Sequence, residues 1–131
     1  MRGSESLQKY LLVGLGGALG SMLRYFIGSA MGERLGFRYH LGTLTINVCA
    51  CFLIGLTVEY LDRHVGLSPA WRYLVPIGFI GGFSTFSTFE WEAWSSITIG
   101  EFWIGVGYIV VSVVAGMIAV VIGAAAAKAL S

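Results

Sequence analysis

Between positions 81 and 89 the chain reads Gly-Gly-Phe-Ser-Thr-Phe-Ser-Thr-Phe, a double glycine followed by rings and hydroxyls that recur every three residues. In an unbroken helix this spacing stacks the aromatic rings on one side and the hydroxyls on another. Glycine costs about 1 kcal/mol relative to alanine inside a helix, so a break is expected here. Carbonyls freed by a break in apolar surroundings must line a cavity or bind something, and half-helix ends then make ion sites. The bland alternative is a straight helix, with rings toward lipid and hydroxyls bonded back to their own backbone.

Asn47 follows Thr43 by four residues, so the two share a helical face. Thr43 can bond back to its own helix. The Asn47 amide has two donor hydrogens and needs a neighbouring helix, a water or a ligand. Tyr108 and Ser112 repeat the spacing of four, and Gly116 continues their face. They are either isolated polar spots or, facing 81–89, an extension of a track of donors. Arg24 is the one basic residue well inside an apolar run. A charge at mid-span costs about 2.5–3.5 kcal/mol on insertion scales. Arg24 lies past the middle, so it snorkels to the interface, pairs within the bundle or lines a vestibule.

Glu90, Glu92 and Glu101 lie near run ends and read as solvated rather than as an acid–base pair. With no lysine in mid-run, the available groups are neutral donors and the rims of aromatic rings, the positive part of the ring quadrupole. Such a set suits a small anion held by several weak contacts, firm enough to enter and loose enough to leave. A cation bound at the broken helix is compatible with it. No group needed for catalysis is in evidence, so an enzyme is not expected.

The elements that must hold these residues follow from composition. Of 131 residues, 56% are hydrophobic and 11% charged, and the mean hydropathy is +0.81. Soluble domains carry about 25% charged residues, so an all-α integral membrane protein is expected. A net charge of +1 gives no footprint for nucleic acid. A spanning helix needs about 20 apolar residues, and the chain offers four spans, near 10–31, 41–61, 71–99 and 102–127, in a single membrane domain covering 1–131. The connectors are 32–40, Asp62-Arg63-His64 with Ser68-Pro69, and Gly100-Glu101. Met1-Arg2-Gly3-Ser4 carries none of the functional reading, and the first apolar run is too long for a cleavable signal. Tyr10, Tyr60, Trp71, Trp94 and Trp103 form an interfacial belt. Gly16, Gly17 and Gly20 lie on overlapping faces that suit close helix contact. Cys49 and Cys51, two apart on different faces, read as small buried hydrophobes.

Orientation is weakly encoded. One side carries Arg2, Lys9, Arg63, Arg72 and Lys128, the other Arg34 and Arg38, with Arg24 nearby. Such a small bias allows insertion in both directions. Four helices leave little room for a water-filled path, so a path is expected at the interface of a homodimer or larger assembly. A non-transporting membrane subunit is the alternative.

Over nearly its whole length the chain resembles the CrcB/Fluc family of small fluoride channels. Gly16-Gly17-Ala18-Leu19-Gly20 through Arg24-Tyr25 resembles the family's first-span signature, and Gly42-Thr43-Leu44 with Asn47 its second. Residues 81–89 resemble its third-span box, the most specific of the three. The resemblance implies passive fluoride efflux through an antiparallel, dual-topology homodimer in the bacterial inner membrane. It further implies a structural sodium ion at the dimer centre, held by the backbone carbonyls of Gly81 and Ser84. Phe86 and Phe89 match the pore phenylalanines, and Asn47 the pore asparagine. Ser87 and Thr88 lie in the box, Tyr108 and Ser112 match the fourth-span polar track, and Glu92 matches the acidic residue after the box. Arg24, Thr43 and Glu92 would be vestibule or structural polar groups. Ser84 stands where the family commonly has threonine, and Gly116 where the track often has another hydroxyl. A proton-coupled small multidrug or guanidinium exporter is the rival, but it needs a carboxylate in mid first span, and 10–31 contains none.

Overall fold

A computed structural model describes residues 2–35 and 39–131, the side chains of Arg2, Leu35 and Tyr39 excepted. Gly36, Phe37 and Arg38 of the first connector, and Met1, lie outside the described residues. The helices are α1 (Arg2–Leu35), α2 (Tyr39–Arg63), α3 (Ala70–Arg72), a π-helical segment (Tyr73–Ile80), α4 (Gly81–Phe83), α5 (Phe86–Thr98) and α6 (Phe102–Ala129). No strand occurs among the described residues. Among the described residues, three helical stretches are long and apolar enough to cross a membrane: Gly3–Arg34, His40–Arg63 and Phe102–Ala129. The expected third span, 71–99, is instead a succession of short helices. The first helix runs well beyond 10–31 at both ends, because nothing between Arg2 and Tyr10 or between Gly32 and Leu35 stops it.

Two seams organise the bundle: α1 lies along the π-helical segment and α4, and α2 lies along α6. Both are backbone-close contacts between small residues, the packing mode that replaces the hydrophobic effect between helices in lipid. A Cβ on Gly20 would sit 2.9 Å from the Phe83 amide, and one on Gly82 the same distance from Gly17 Cα. In the second seam a Cβ on Gly123 would lie 2.9 Å from the Leu56 amide. A small core of Ile46, Ala50, Ile80 and Phe83 joins the two seams, and a second cluster of Phe89, Ala93 and Tyr108 joins α5 to α6. Cys49 is exposed rather than buried, and both thiols are free. The outer face of α6, including Val110, Val113, Val114 and Met117, is exposed in the single chain, as lipid contact requires.

The π winding has a local cause. Pro76 lacks an amide hydrogen and its ring crowds the carbonyl four residues back. Widening the turn relieves that crowding, and the Gly81 amide reaches back five residues to the Pro76 carbonyl. Gly100, at φ 94°, makes the turn into α6 that a side chain would strain.

Candidate functional site

The expected break in the third span is present, but it lies after the double glycine. Gly81 and Gly82 remain helical, and Ser84 (ψ 158°) and Thr85 (φ −148°, ψ 107°) are extended. Gly82 serves the close approach to α1, while the change of direction is made by capping. Thr85 is the N-cap of α5: its hydroxyl accepts from the Thr88 amide at 3.4 Å and donates to Thr88 Oγ1 at 2.9 Å.

Asn47 secures that break from α2. Its Nδ2 donates to the Thr85 carbonyl at 3.0 Å, and its Oδ1 accepts from the Thr85 amide at 2.8 Å. The partner the sequence required is therefore the backbone of one residue at the break, Thr85, through the two peptide groups that flank it. In a continuing α-helix the Thr85 amide would bond to the Gly81 carbonyl. Asn47 diverts it, so Gly81 keeps a carbonyl without its helical donor. The next carbonyl, that of Gly82, accepts from Arg24 Nε at 3.1 Å and from Ser21 Oγ at 3.3 Å. Arg24 therefore pairs within the bundle and does not snorkel.

Two crevices flank the break. Gly81 and Ser84 line one of about 170 Å³, together with Ala50, Cys51, Ile54 and Pro76. No group of three His, Cys, Asp or Glu side chains able to hold a metal occurs among the described residues. A hard cation here would have to be held by backbone oxygens, and the donorless Gly81 carbonyl fits that role. The second crevice, about 290 Å³, is lined by Arg24, Thr43, Thr85, Thr88 and Glu92, among others.

Glu92 corrects the reading of a solvated helix end. It is half-buried, and its two oxygens accept from Thr43 Oγ1 at 2.7 Å and Tyr108 Oη at 2.8 Å. Thr43, only 6% exposed, thus bonds to another helix rather than back to its own. Tyr108 faces the third span as its spacing allowed, and its ring meets Phe89 edge to face at 5.1 Å. Phe86 and Phe89 are neighbours at 5.8 Å between centroids but differ in setting. Phe89 is 5% exposed and Phe86 74%. Ser87 shares the open side of this first turn with Phe86.

Ser112 departs from the expected run of donors: its hydroxyl is buried and has no hydrogen-bond partner. Gly116, one turn on, lies against α2, where a Cβ would come within 3.2 Å of Cys51 Sγ. A side chain at that position would require the Cys51 sulfur to give way by a few tenths of an ångström. Sequence reasoning missed Ser21, the capping role of Thr85, and the pair His40 and Ser96, joined at 2.8 Å. The last two had a spacing signal, since His40, Thr43 and Asn47 follow one face of α2, and Glu92 and Ser96 are four apart.

Apolar helices closed by small residues around one interrupted, side-chain-latched helix define an all-helical membrane protein. The family described as CrcB-like protein, Camphor Resistance (CrcB), matches residues 11–124, and the chain belongs to it. A protein from Solibacter usitatus (strain Ellin6076), named fluoride-specific ion channel FluC, is 44% identical over 120 residues, 92% of this chain and 98% of its own. One of the same name from Acidobacterium capsulatum is 50% identical over 115 residues, 88% and 92% of the two chains. A third, from Leptospira interrogans, is 42% identical over 117 residues, 89% of this chain and 90% of its own.

Proposed function

We propose that the chain is a fluoride-selective channel of the bacterial inner membrane, giving passive efflux that lowers fluoride toxicity. The observation that carries the reading is the convergence of Phe89, Tyr108 and the Asn47-latched break, where amide and hydroxyl donors and ring rims meet, with the charges of Arg24 and Glu92 already engaged by the Gly82 carbonyl and by Thr43 and Tyr108. The names of the relatives support it. An inside-negative potential favours anion exit by about 2.3 kcal/mol per 100 mV, so no catalytic step and no ATP are needed.

The working unit is an antiparallel homodimer of four-span chains, with the segment from Ala70 to Thr98 counted as one broken span. Phe86, exposed in the single chain, and the open Gly81 carbonyl would then lie where a second copy packs. A structural sodium ion between the copies would take the carbonyls of Gly81 and Ser84, the pair lining the smaller crevice. Sodium there would hold the two broken helices in register. Asn47, Phe86, Phe89, Ser87, Thr88, Tyr108 and Ser112 line the fluoride path, and the partnerless Ser112 hydroxyl is suited to meet the ion. Arg24, Thr43 and Glu92 frame its mouth.

Liposomes carrying the purified protein test the reading. With valinomycin and internal potassium fluoride, fluoride should leave within the protein-dependent phase while chloride stays. Equal chloride release would defeat selectivity, and proton-driven uptake of a guanidinium cation would favour the exporter. No flux of any kind would favour a non-transporting subunit.

A further inference from the structure

His40 belongs to none of the matched motifs, yet it is built into the wall of the path. It stands in the first turn of α2, half-buried, with Nε2 2.8 Å from Ser96 Oγ on α5. Ser96 is 2% exposed, so the histidine satisfies a hydroxyl that would otherwise be stranded. The imidazole also meets the Tyr108 ring edge to face, at 4.8 Å and 87°. Phe89 meets the same ring at 5.1 Å and 68°. Glu92, one turn before Ser96 on α5, accepts from the Tyr108 hydroxyl.

These contacts divide the control of Tyr108. The hydroxyl oxygen lies on the axis about which a tyrosine ring turns, so the bond to Glu92 fixes where the ring ends and leaves its rotation largely free. That torsion is intrinsically broad. Rotation is restrained by the neighbours that touch the ring's faces and rim; Phe89 and His40 are the rings among them, and Leu44 and Ile109 pack against the same cluster. Phe89 is itself a ring with the same freedom. Of these two rings, His40 is the one pinned by a hydrogen bond, to Ser96.

We propose that His40 is a positioning residue for fluoride passage: anchored on Ser96, it sets the rotation of Tyr108 and through it the rim that Phe89 and Tyr108 offer to the anion. The inference rests on the channel reading above and names a residue on which ion selectivity depends.

The test is fluoride and chloride efflux from liposomes carrying the full-length assembled protein, compared across a double-mutant cycle. His40→Ala should slow fluoride efflux about two- to tenfold, the factor an edge-to-face ring pair is worth, and should lower the fluoride-to-chloride rate ratio. His40→Phe restores a ring without the anchor on Ser96, so it should recover only part of the rate and of the ratio, and full recovery would overturn the role of the anchor. In a Tyr108→Leu background, with no ring left to orient, His40→Ala should add no further loss. Losses that multiply independently in the two backgrounds overturn the proposal, as does an unchanged rate and ratio in His40→Ala. If His40→Ala fails to assemble, Ser96→Ala reads the same anchor: a lowered ratio supports the role and an unchanged one overturns it. Wild-type protein that moves no fluoride removes the channel reading itself, and this inference with it.

Discussion

Replacing Asn47 with alanine removes both hydrogen bonds that hold the Thr85 backbone, at 3.0 and 2.8 Å. Interhelical hydrogen bonds in membranes average about 0.6 kcal/mol and reach about 1.7, so the pair contributes about 1–3 kcal/mol. A desolvated backbone group left without a partner adds about 1–3 kcal/mol. The chain has one way to reduce the loss: the Thr85 amide can swing back to the Gly81 carbonyl, its acceptor in an unbroken helix. That repair straightens the segment and removes the open carbonyl at Gly81. Asn47→Ala is therefore expected to lose about 2–4 kcal/mol of stability and to slow fluoride efflux severely in whatever fraction folds. Asn47→Asp keeps the acceptor for the amide but turns a carboxylate oxygen toward the Thr85 carbonyl, so it should fare no better. The assay pairs unfolding in detergent micelles with efflux from liposomes. Wild-type stability and wild-type flux in Asn47→Ala would refute the idea that this side chain maintains the break.

The two phenylalanines separate packing from passage. Phe86→Ile and Phe89→Ile should both slow fluoride efflux with assembly intact, but buried Phe89 should lose about 1–3 kcal/mol of stability and exposed Phe86 far less; unchanged flux in both would mean that the rings only pack. Gly20→Ala places a Cβ 2.9 Å from the Phe83 amide, whereas Gly107→Ala meets nothing within 4 Å. The first should destabilise the fold by about 1–3 kcal/mol and the second should be near neutral, as thermal unfolding in micelles will read; equal melting would show that the first seam can open without cost. Exchanging sodium for N-methylglucamine on both sides of the membrane should reduce fluoride flux, and undiminished flux would show that Gly81 and Ser84 require no cation.

Much of the bundle was legible because apolar run length and glycine content are direct statements about membrane helices. Gly16, Gly17 and Gly20 do lie in a close seam, and 41–61 and 102–127 fall inside α2 and α6. The interruption in the third span was legible as a conflict between glycine and helix, but its position was not. Where the backbone turns is decided by Asn47 and Thr85 competing for amides, a contact between residues 38 apart. The reading of Glu92 as a solvated helix end fails for the same reason. Its neighbours in sequence suggest a wet helix end, while Thr43 and Tyr108 arrive from other helices. Arg24 was left with three roles because a carbonyl acceptor such as that of Gly82 leaves no mark in side-chain sequence. Gly116, a departure from the family pattern, lies in tight contact with Cys51 of α2, a neighbour 65 positions away that local sequence does not announce.

The wide winding from Tyr73 to Ile80 acts as a phase offset in the screw of the chain. A π-helical turn holds more residues than the 3.6 of an α-helix, so each advances the azimuth by less than the α-helical value of about 100°, and removing one from this stretch with the wide winding kept would rotate everything beyond it by nearly that much. The Gly81 carbonyl would swing out of the crevice beside Ala50 and Ile54, and Gly82 would lose its register with Gly17. The number of residues between Trp71 and the double glycine is therefore set by the aim of the oxygens downstream, and not by the thickness of the membrane.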